Sequence, residues 1–322
     1  MTPEQFSQAT KVAAAMRAEI GKALIGQPEV IDAVLCALLA GGHVLVEGVP
    51  GLGKTLLVKA LARTISGSFG RVQFTPDLMP ADVTGHTLYD PKNQVFTTRR
   101  GPVFVNLLLA DEINRAPAKT QAALLEVMQE AQVTIEGEAH KLEPPFMVLA
   151  TQNPIEQEGT YALPEAQLDR FLLKVKIDYP AQADELAMVR HVTEGKVGDK
   201  LEVEPVQTLI KPDMVVQLQR IAAGLRVDDA VLDYAIRLVR ATRSWAGVVA
   251  GAGPRGAISL IRAARSAALL DGRDFVTPDD VKKMALPALR HRITPAPELE
   301  LEGQSSDAIL KGLLQKVEAP RK

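Results

Sequence analysis

Residues 48–55 read Gly-Val-Pro-Gly-Leu-Gly-Lys-Thr and fit the pattern G-x-x-x-x-G-K-[ST]. The largely apolar residues 43–47 precede this segment, and the helix-forming residues 56–63 follow it. A buried strand that ends at such a turn and continues as a helix leaves backbone N–H groups unpaired, and these groups can hold phosphate. We therefore expect Lys54 to reach the β- and γ-phosphates of a nucleotide and the Thr55 hydroxyl to ligate Mg²⁺. A flexible glycine-rich turn is the alternative.

Two adjacent acids, Asp111 and Glu112, follow the apolar residues 107–110. An acid at the carboxyl end of a strand beside a phosphate loop can anchor hydrated Mg²⁺, which is the role we expect for Asp111. Glu112 is expected to polarise the attacking water. The alternative is a helix N-terminus that carries two acids for its dipole. The guanine-reading pattern Asn-Lys-x-Asp does not occur in the sequence, which disfavours a GTPase switch.

A third polar segment follows another apolar run, at residues 150–154. A neutral amide at this place can hydrogen-bond the γ-phosphate or the lytic water, and we favour Asn153 over Gln152 or Thr151 for that role. A turn formed by the Asn-Pro pair is the alternative.

The elements that must position these residues follow an alternating α/β pattern. Apolar runs at 71–74, 106–110, 145–150 and 171–177 are predicted strands, and together with Val44–Glu47 they predict a five-stranded, mainly parallel sheet. Continuous apolar runs, rather than strict alternation, are typical of a sheet that is covered on both faces.

Two β-hairpins are predicted as insertions into this scheme. Residues 84–98 surround the turn-forming sequence Asp-Pro-Lys-Asn, and residues 132–142 surround Gly137. The hairpins are candidate levers or substrate contacts, and a trimmed sheet edge is the alternative.

Helices are predicted at both ends of the chain. Residues 3–22 and 30–39 carry apolar residues at helical spacing before the sheet begins. After about residue 180 the pattern is helical, apart from a predicted loop at 195–206. Six helices are predicted there, at 184–194, 212–224, 228–245, 254–271, 278–289 and 306–317. We expect an α/β core with an N-terminal helix over residues 1–180 and a smaller all-α lid over residues 181–322.

The composition is that of a globular protein of one large or two ordinary domains. The 322 residues are 47% hydrophobic and 24% charged, which is enough for a substantial core. A formal net charge of −2 gives no overall attraction to nucleic acid or to an anionic membrane. Apolar stretches such as 103–110 are far shorter than a membrane span, and the charged N-terminal residues do not resemble a signal peptide. We expect a cytoplasmic protein.

Together these motifs resemble those of the AAA+ ATPases, and specifically those of the MoxR family. The resemblance runs from about residue 25 to about residue 292. A phosphate loop alone is shared by many unrelated proteins. The sequence Asp-Glu-Ile-Asn-Arg-Ala-Pro together with Leu-Asp-Arg-Phe is far more specific to one family. The segments that carry the resemblance are 48–55, 109–121, 150–154, 163–171 and 253–255.

The resemblance implies further roles for residues of this chain. Asn153 matches the first sensor residue, and Arg170 matches the arginine finger that a neighbouring subunit inserts, for which a permanently charged guanidinium is suited. Arg255 matches the second sensor, although Gly253 stands where family members usually have Ser. Alternatively, Arg170 pairs with Asp169 at the surface and Arg255 caps a helix. Arg115 also follows the acid pair, and we leave open whether it crosses a subunit interface.

The adenine-packing segment of the family corresponds to residues 25–27 of this chain. The predicted nucleotide contacts are therefore Ile25, Gly26, Gln27, Gly48, Val49, Pro50, Gly51, Leu52, Gly53, Lys54, Thr55 and Leu56.

The resemblance implies an Mg²⁺-dependent ATPase that assembles, in a nucleotide-promoted way, into a ring, taken here as a hexamer. Its hydrolysis would remodel or mature protein clients, together with a separate von Willebrand factor A domain protein. The alternatives are an AAA+ subunit of a magnesium-chelatase-like enzyme and a slowly cycling, nucleotide-dependent binding module. A DNA motor is disfavoured because neither hairpin carries a basic–aromatic stretch and the net charge is near zero.

Overall fold

The computed structural model describes residues 2–49, 51–153, 159–193 and 203–320. The strands are β1 (Val44–Glu47), β2 (Phe69–Gln73), β3 (Gly85–Asp90), β4 (Val95–Arg100), β5 (Leu107–Asp111), β6 (Gln132–Ile135), β7 (Glu138–Lys141), β8 (Met147–Gln152), β9 (Leu173–Lys176), β10 (Val248–Ala250) and β11 (Thr294–Pro295). The helices are α1 (Pro3–Ala23), α2 (Pro28–Leu39), α3 (Lys54–Thr64), α4 (Pro80–Thr84), α5 (Ala118–Glu130), α6 (Glu165–Leu168), α7 (Gln182–Thr193), α8 (Pro212–Ala223), α9 (Asp229–Thr242), α10 (Pro254–Leu270), α11 (Pro278–Leu289), α12 (Pro297–Leu301) and α13 (Ser306–Lys316).

The five predicted strands form one parallel sheet in the order β2-β5-β8-β1-β9, which confirms the predicted sheet. The strand ends lie within two residues of those predicted, and Phe74 falls just outside β2. Side chains of β1 alternate between two apolar layers: Leu45 faces one layer, while Val44 and Val46 face the other. Because all five strands run in the same direction, their carboxyl ends meet at one edge of the sheet.

Both hairpins are present where they are predicted. In the first, β3 pairs with β4 in antiparallel register, and Asp90 accepts the backbone N–H of Lys92 to close the turn. In the second, β6 and β7 are joined by two residues, Glu136 and Gly137, which both have positive φ (49° and 84°). That backbone is a type I′ turn, for which glycine at the second position is favoured.

The C-terminal part is helical as predicted, with helix ends that differ from the expected ones by at most three residues. Two short strands, β10 and β11, pair within it, and a prediction based on periodicity missed them because three and two residues show no period. The prediction also omits α4, α5, α6 and α12. The last residue of the helix predicted at 184–194 lies outside the described residues, and so does most of the loop predicted at 195–206.

The helices after residue 211 pack against both N-terminal helices. One apolar cluster joins α1, α2 and one face of the sheet to α8, α9, α10, α11 and α13, with Met16, Leu35 and Leu260 buried in it. The other face of the sheet is covered by α5 and β6, through residues such as Leu124 and Val133. Within the described residues, no helix is both long and apolar enough to cross a membrane.

Candidate active site

The glycine-rich segment joins the end of β1 to the start of α3. Gly51 and Gly53 have φ of +87° and +77°, in the left-handed region that favours glycine. A Cβ on Gly48 would lie 2.7 Å from the carbonyl oxygen of Ile177, so the loop passes too close to its neighbour for a larger residue. Because α3 begins directly after this loop, its first N–H groups have no helical acceptor. Pro50, one of the predicted nucleotide contacts, lies outside the described residues.

A cavity of about 400 Å³ opens beside this loop, at the carboxyl edge of the sheet. Its volume is within the range of small-molecule sites. Three cationic side chains face two carboxylates in its lining, which favours a polyanionic ligand. The lining residues are Gly51, Gly53, Lys54, Thr55, Leu56, Lys59, Arg71, Gln73, Asp111, Glu112 and Asn153.

Asp111 ends β5 with both carboxylate oxygens engaged. Its Oδ1 accepts a hydrogen bond from Thr151 Oγ1 at 2.6 Å, and its Oδ2 pairs with Arg71 Nη2 at 2.6 Å. The Thr151 hydroxyl is fully buried and also accepts the backbone N–H of Glu112 at 2.8 Å. Thr151, which the sequence ranked behind Asn153, therefore orients both acids rather than facing the cavity.

Glu112 turns out of the strand with φ 55° and ψ 50°, a left-handed conformation that costs about 1–3 kcal/mol for a residue other than glycine. Its Oε2 accepts from Gln73 Nε2 at 2.7 Å and pairs with Arg115 Nε at 3.2 Å. The next full helix, α5, begins only at Ala118. Glu112 is the N-cap of a single 3₁₀ turn, Ile113–Arg115, whereas Asp111 still belongs to β5, so the alternative of a helix N-terminus that carries both acids does not describe this pair.

Lys54 points back over the loop, where its Nζ donates to the carbonyl of Gly48 at 2.7 Å. Burial lowers the pKa of the Lys54 ammonium, and the nearby carboxylates of Asp111 and Glu112 oppose that shift. The Lys54 ammonium therefore has one neutral hydrogen-bond acceptor, the Gly48 carbonyl, and two acids nearby at the cavity wall. A phosphate that enters the cavity can replace that carbonyl as the acceptor, because hydrogen bonds between charged groups are stronger.

Thr55 and Asp111, the predicted ligands of Mg²⁺, both line this cavity. Among the described residues there is no group of three or more His, Cys, Asp or Glu side chains that could hold a metal ion. A hydroxyl and one carboxylate nevertheless suit Mg²⁺, which is usually held by one or two carboxylates together with phosphate oxygens and water. The residues therefore fit a Mg²⁺ ion that arrives with a nucleotide.

The two remaining predicted arginines do not line this cavity. Arg170 follows α6, and its Nη1 donates to the carbonyl of Leu125 in α5 at 2.7 Å, beside a separate cavity of about 280 Å³. Arg255 lies in the first turn of α10 with 59% of its side chain exposed, 3.8 Å from Asp169 Oδ2. The predicted alternative for Arg170, an ion pair with Asp169, is not found among the described contacts; Arg292 and Arg255 pair with that acid.

The predicted adenine segment does not line the phosphate loop cavity, although Leu24, directly before it, lies next to Gly53 of the loop. Gly26 and Gln27 line a cavity of about 820 Å³ between α2, β9 and α11. The Gln27 side chain donates to the carbonyl of Asp178 at 2.7 Å, which ties the start of α2 to the segment after β9.

Three cavity residues were missed by the sequence: Lys59, Arg71 and Gln73. Arg71 and Gln73 are two apart on β2, so both side chains point to the same side of the edge strand. Their oxygen and nitrogen atoms bond each other at 3.1 Å and reach one acid each. The sequence pattern that could have identified Arg71 and Gln73 as site residues is this polar pair inside the predicted strand 71–74, which lies next to the strand that ends in the two acids.

Comparisons with known proteins agree with this geometry. Residues 43–173 match the family described as ATPase family associated with various cellular activities (AAA), and residues 240–313 match the AAA lid domain. The first match spans β1 to the start of β9 and so contains the phosphate loop, both acids and Arg170. The second begins in α9 and contains Arg255 and Arg292.

Whole-chain relatives are similar over nearly the full length. Chaperone MoxR1 of Mycobacterium tuberculosis is 43% identical over 94% of this chain and 81% of its own length. YeaC of Bacillus subtilis is 44% identical over 94% of this chain and 92% of its own. A crystal structure of a protein assigned as an ATPase, from Cytophaga hutchinsonii, is 41% identical and covers 99% of this chain and 98% of its own, with a TM-score of 0.90.

Proposed function

This chain belongs to the MoxR family of AAA+ ATPases, and from that premise we propose that it hydrolyses ATP with Mg²⁺ to remodel or mature other proteins. One observation carries the proposal: Lys54, the acid pair and Asn153 come from three different strand ends and line one cavity. A binding module that does not turn over would need the phosphate loop but not a carboxylate held in a strained conformation beside it.

The lining residues support a simple sequence of roles. Lys54 and the N–H groups at the start of α3 hold the phosphates, while Thr55 and Asp111 would hold Mg²⁺, which supplies charge neutralisation when it is bound. Glu112 orients the attacking water and accepts its proton as the water oxygen bonds to the γ-phosphorus. The bond between that phosphorus and the β–γ bridging oxygen breaks, and ADP leaves with phosphate. Asn153 would hydrogen-bond the γ-phosphate or the water.

We propose that the site is completed by a second copy of the chain. Arg170 lies outside its own nucleotide cavity and beside α5, where it is available to a neighbouring subunit. A ring, with six subunits as the working proposal, would place each Arg170 at the γ-phosphate held by the next subunit. Arg255 at the start of the lid helix would sense nucleotide in its own subunit or in the neighbour's.

The partners are proposed from the family and from the surface. A relative named as a chaperone supports a protein client, and we propose a separate von Willebrand factor A domain protein as a co-factor of the cycle. The exposed tip of the first hairpin, where the tilted rings of Tyr89 and Phe96 pack with 5.1 Å between centroids, supports a protein contact. We also propose a cytoplasmic location and a division into a core over residues 1–180 and a lid over residues 181–322.

The variant Glu112→Gln tests the proposed chemistry. Removing the base should lower the rate of phosphate release by about 10²–10⁴-fold, while binding of a fluorescent ATP analogue is retained. Glu302→Gln, at an exposed lid position, is the matched control and should behave as the wild type. Full turnover by Glu112→Gln would contradict the assignment of the base, and absence of ATP binding by the wild type would contradict the function itself.

The proposed trans role of Arg170 has its own test. If a neighbour completes the site, ATPase activity per subunit should rise with protein concentration, because the assembly forms by mass action. Arg170→Ala and Lys54→Ala should each be inactive alone and partly active when mixed. A concentration-independent rate with no activity in the mixture would indicate a monomeric enzyme.

A further inference from the structure

The buried guanidinium of Arg292 forms hydrogen bonds with the backbone next to Arg170. Arg292 lies just after α11, with 2% of its side chain exposed. Its Nη2 donates to the carbonyls of Asp169 at 3.1 Å and Phe171 at 2.7 Å, and its Nη1 donates to the carbonyl of Leu172 at 3.2 Å. The backbone carbonyls of the residues before and after Arg170 are therefore held by one side chain from the lid.

The same guanidinium also binds the lid itself. It donates to the hydroxyl of Ser259 in α10 at 3.1 Å and to the carbonyl of Ala288 in α11. The neighbouring His291 ring, also buried, bonds the carbonyl of Phe171 at 3.0 Å. Two lid helices and the segment 169–172 thus share one set of directional contacts, whose geometry is lost if either side moves alone.

The Asp169 carboxylate connects this cluster to the start of α10. Its Oδ1 accepts from Arg292 Nε at 2.7 Å, and its Oδ2 lies 3.8 Å from Arg255 Nη1. One carboxylate therefore lies between the buried lid arginine and the exposed arginine that matches the second sensor. If Arg255 moves toward a phosphate, Asp169 loses one of the two cations with which it pairs. Asp169 directly precedes Arg170 in the chain.

We propose that Asp169 and Arg292 are positioning residues that tie Arg170 to the lid, so that the lid of one subunit sets the arginine presented to the next. The proposal rests on the proposed function, in which Arg170 serves a neighbouring nucleotide. Neither residue lines the phosphate cavity of its own subunit. A variant of Asp169 or Arg292 should accordingly be defective in the Arg170 that it presents to the next subunit, and not in its own nucleotide site.

Subunit mixing separates the two sides. Asp169→Asn should lower ATPase activity by about tenfold to 100-fold, since a reacting group displaced by about 1 Å costs about 100-fold. Its affinity for a fluorescent ATP analogue should stay within about twofold of the wild type, because the phosphate loop is untouched. Mixed with Lys54→Ala, which retains Arg170, it should regain activity; mixed with Arg170→Ala, it should not.

Two further variants complete the design. Arg292→Lys keeps the charge but cannot span three carbonyls, and it should show the same mixing pattern. Arg237→Gln, which removes a lid ion pair between Arg237 and Asp233 on α9, is the matched control and should keep wild-type activity.

The opposite mixing pattern, with activity restored by Arg170→Ala and not by Lys54→Ala, would place the defect in the variant's own nucleotide site and overturn the proposal. Unchanged activity of Asp169→Asn would overturn it as well, and so would failure with both testers, because an unfolded subunit can restore neither. The reference mixture of Arg170→Ala with Lys54→Ala involves neither positioning residue. If that mixture stays inactive, it is the trans role of Arg170 that has failed.

Discussion

The variant Thr151→Val isolates what the buried hydroxyl does for the two acids. Valine has nearly the shape of threonine, so the change removes one hydroxyl without opening a cavity. In the wild type this hydroxyl donates to Asp111 Oδ1 at 2.6 Å and accepts the N–H of Glu112 at 2.8 Å. Because Thr151 is fully buried, no water can take the place of the hydroxyl where it stands.

The expected loss can be worked out from these two contacts. A hydrogen bond to a carboxylate contributes about 1.5–3 kcal/mol, and an unsatisfied buried N–H costs about 1–3 kcal/mol. The two terms share one hydroxyl and are not additive, so we expect the free energy of unfolding to fall by about 2–4 kcal/mol. Without the hydrogen bond to its N–H, the backbone of Glu112 should leave its left-handed conformation. A resulting shift of about 1 Å in the Glu112 carboxylate would lower turnover by about 100-fold.

Urea unfolding measures the first quantity and steady-state phosphate release measures the second. Thr151→Ser retains the hydroxyl and loses only a methyl group, so it should keep most of the turnover while costing about 1 kcal/mol of stability. Affinity for a fluorescent ATP analogue should change little in either variant. Wild-type turnover by Thr151→Val would refute the reasoning, and so would an equal loss in Thr151→Ser, since that loss would come from the methyl group.

Two other perturbations probe the same sheet edge and the layer behind it. Arg71→Gln should lower the Mg²⁺ concentration needed for nucleotide binding by severalfold, because Arg71 holds the Asp111 oxygen that Mg²⁺ requires; a Mg²⁺ titration with an unchanged midpoint would contradict this. Burial lowers the pKa of His43 to about 4. The unfolded chain therefore binds the proton first, and His43 alone should lower the free energy of unfolding by about 1–2 kcal/mol from pH 7 to pH 5, while buried His291, whose pKa is also lowered, adds a loss of the same sign. Urea unfolding at both pH values should show a smaller fall in His43→Gln, whereas His86→Gln on the first hairpin should keep the full fall.

The part of the site that could be predicted is the part built from strand ends. Parallel strands bring their carboxyl ends to one edge, so a polar residue after an apolar run already has a place in the fold. Lys54, the acid pair and Asn153 are of this kind, and all of them line the cavity. Their positions depend on the sheet, and the sheet follows from apolar runs that a single sequence displays.

The residues that escaped prediction depend on pairings across the chain. Arg71 meets Asp111 across 40 positions, and Arg292 meets Asp169 across 123. Neither contact leaves a local pattern, because an arginine on an edge strand or after a helix is typical of a solvent-exposed side chain. Short elements such as α6 and β11 are missed for a related reason: four and two residues are too few to show a period.

The two ways in which the lid is attached have different mechanical consequences. The contact of α10 with α2 is largely apolar, with one polar link in which Arg262 Nη2 donates to the carbonyls of Ala40 and Gly41 just after α2, at exposed positions. Apolar contacts are non-directional and water can replace exposed hydrogen bonds, so a small shear along this contact costs little as long as the apolar surface stays buried. The Arg292 cluster is directional, and separating it would leave the buried Arg292 guanidinium without its carboxylate, at a cost of up to about 3–5 kcal/mol. A shift of the lid should therefore slide over α2 and carry the segment 169–172 with it. If Arg255 acts as proposed, movement that begins where it meets a phosphate would reach Arg170, because the polar attachment is the stiffer of the two.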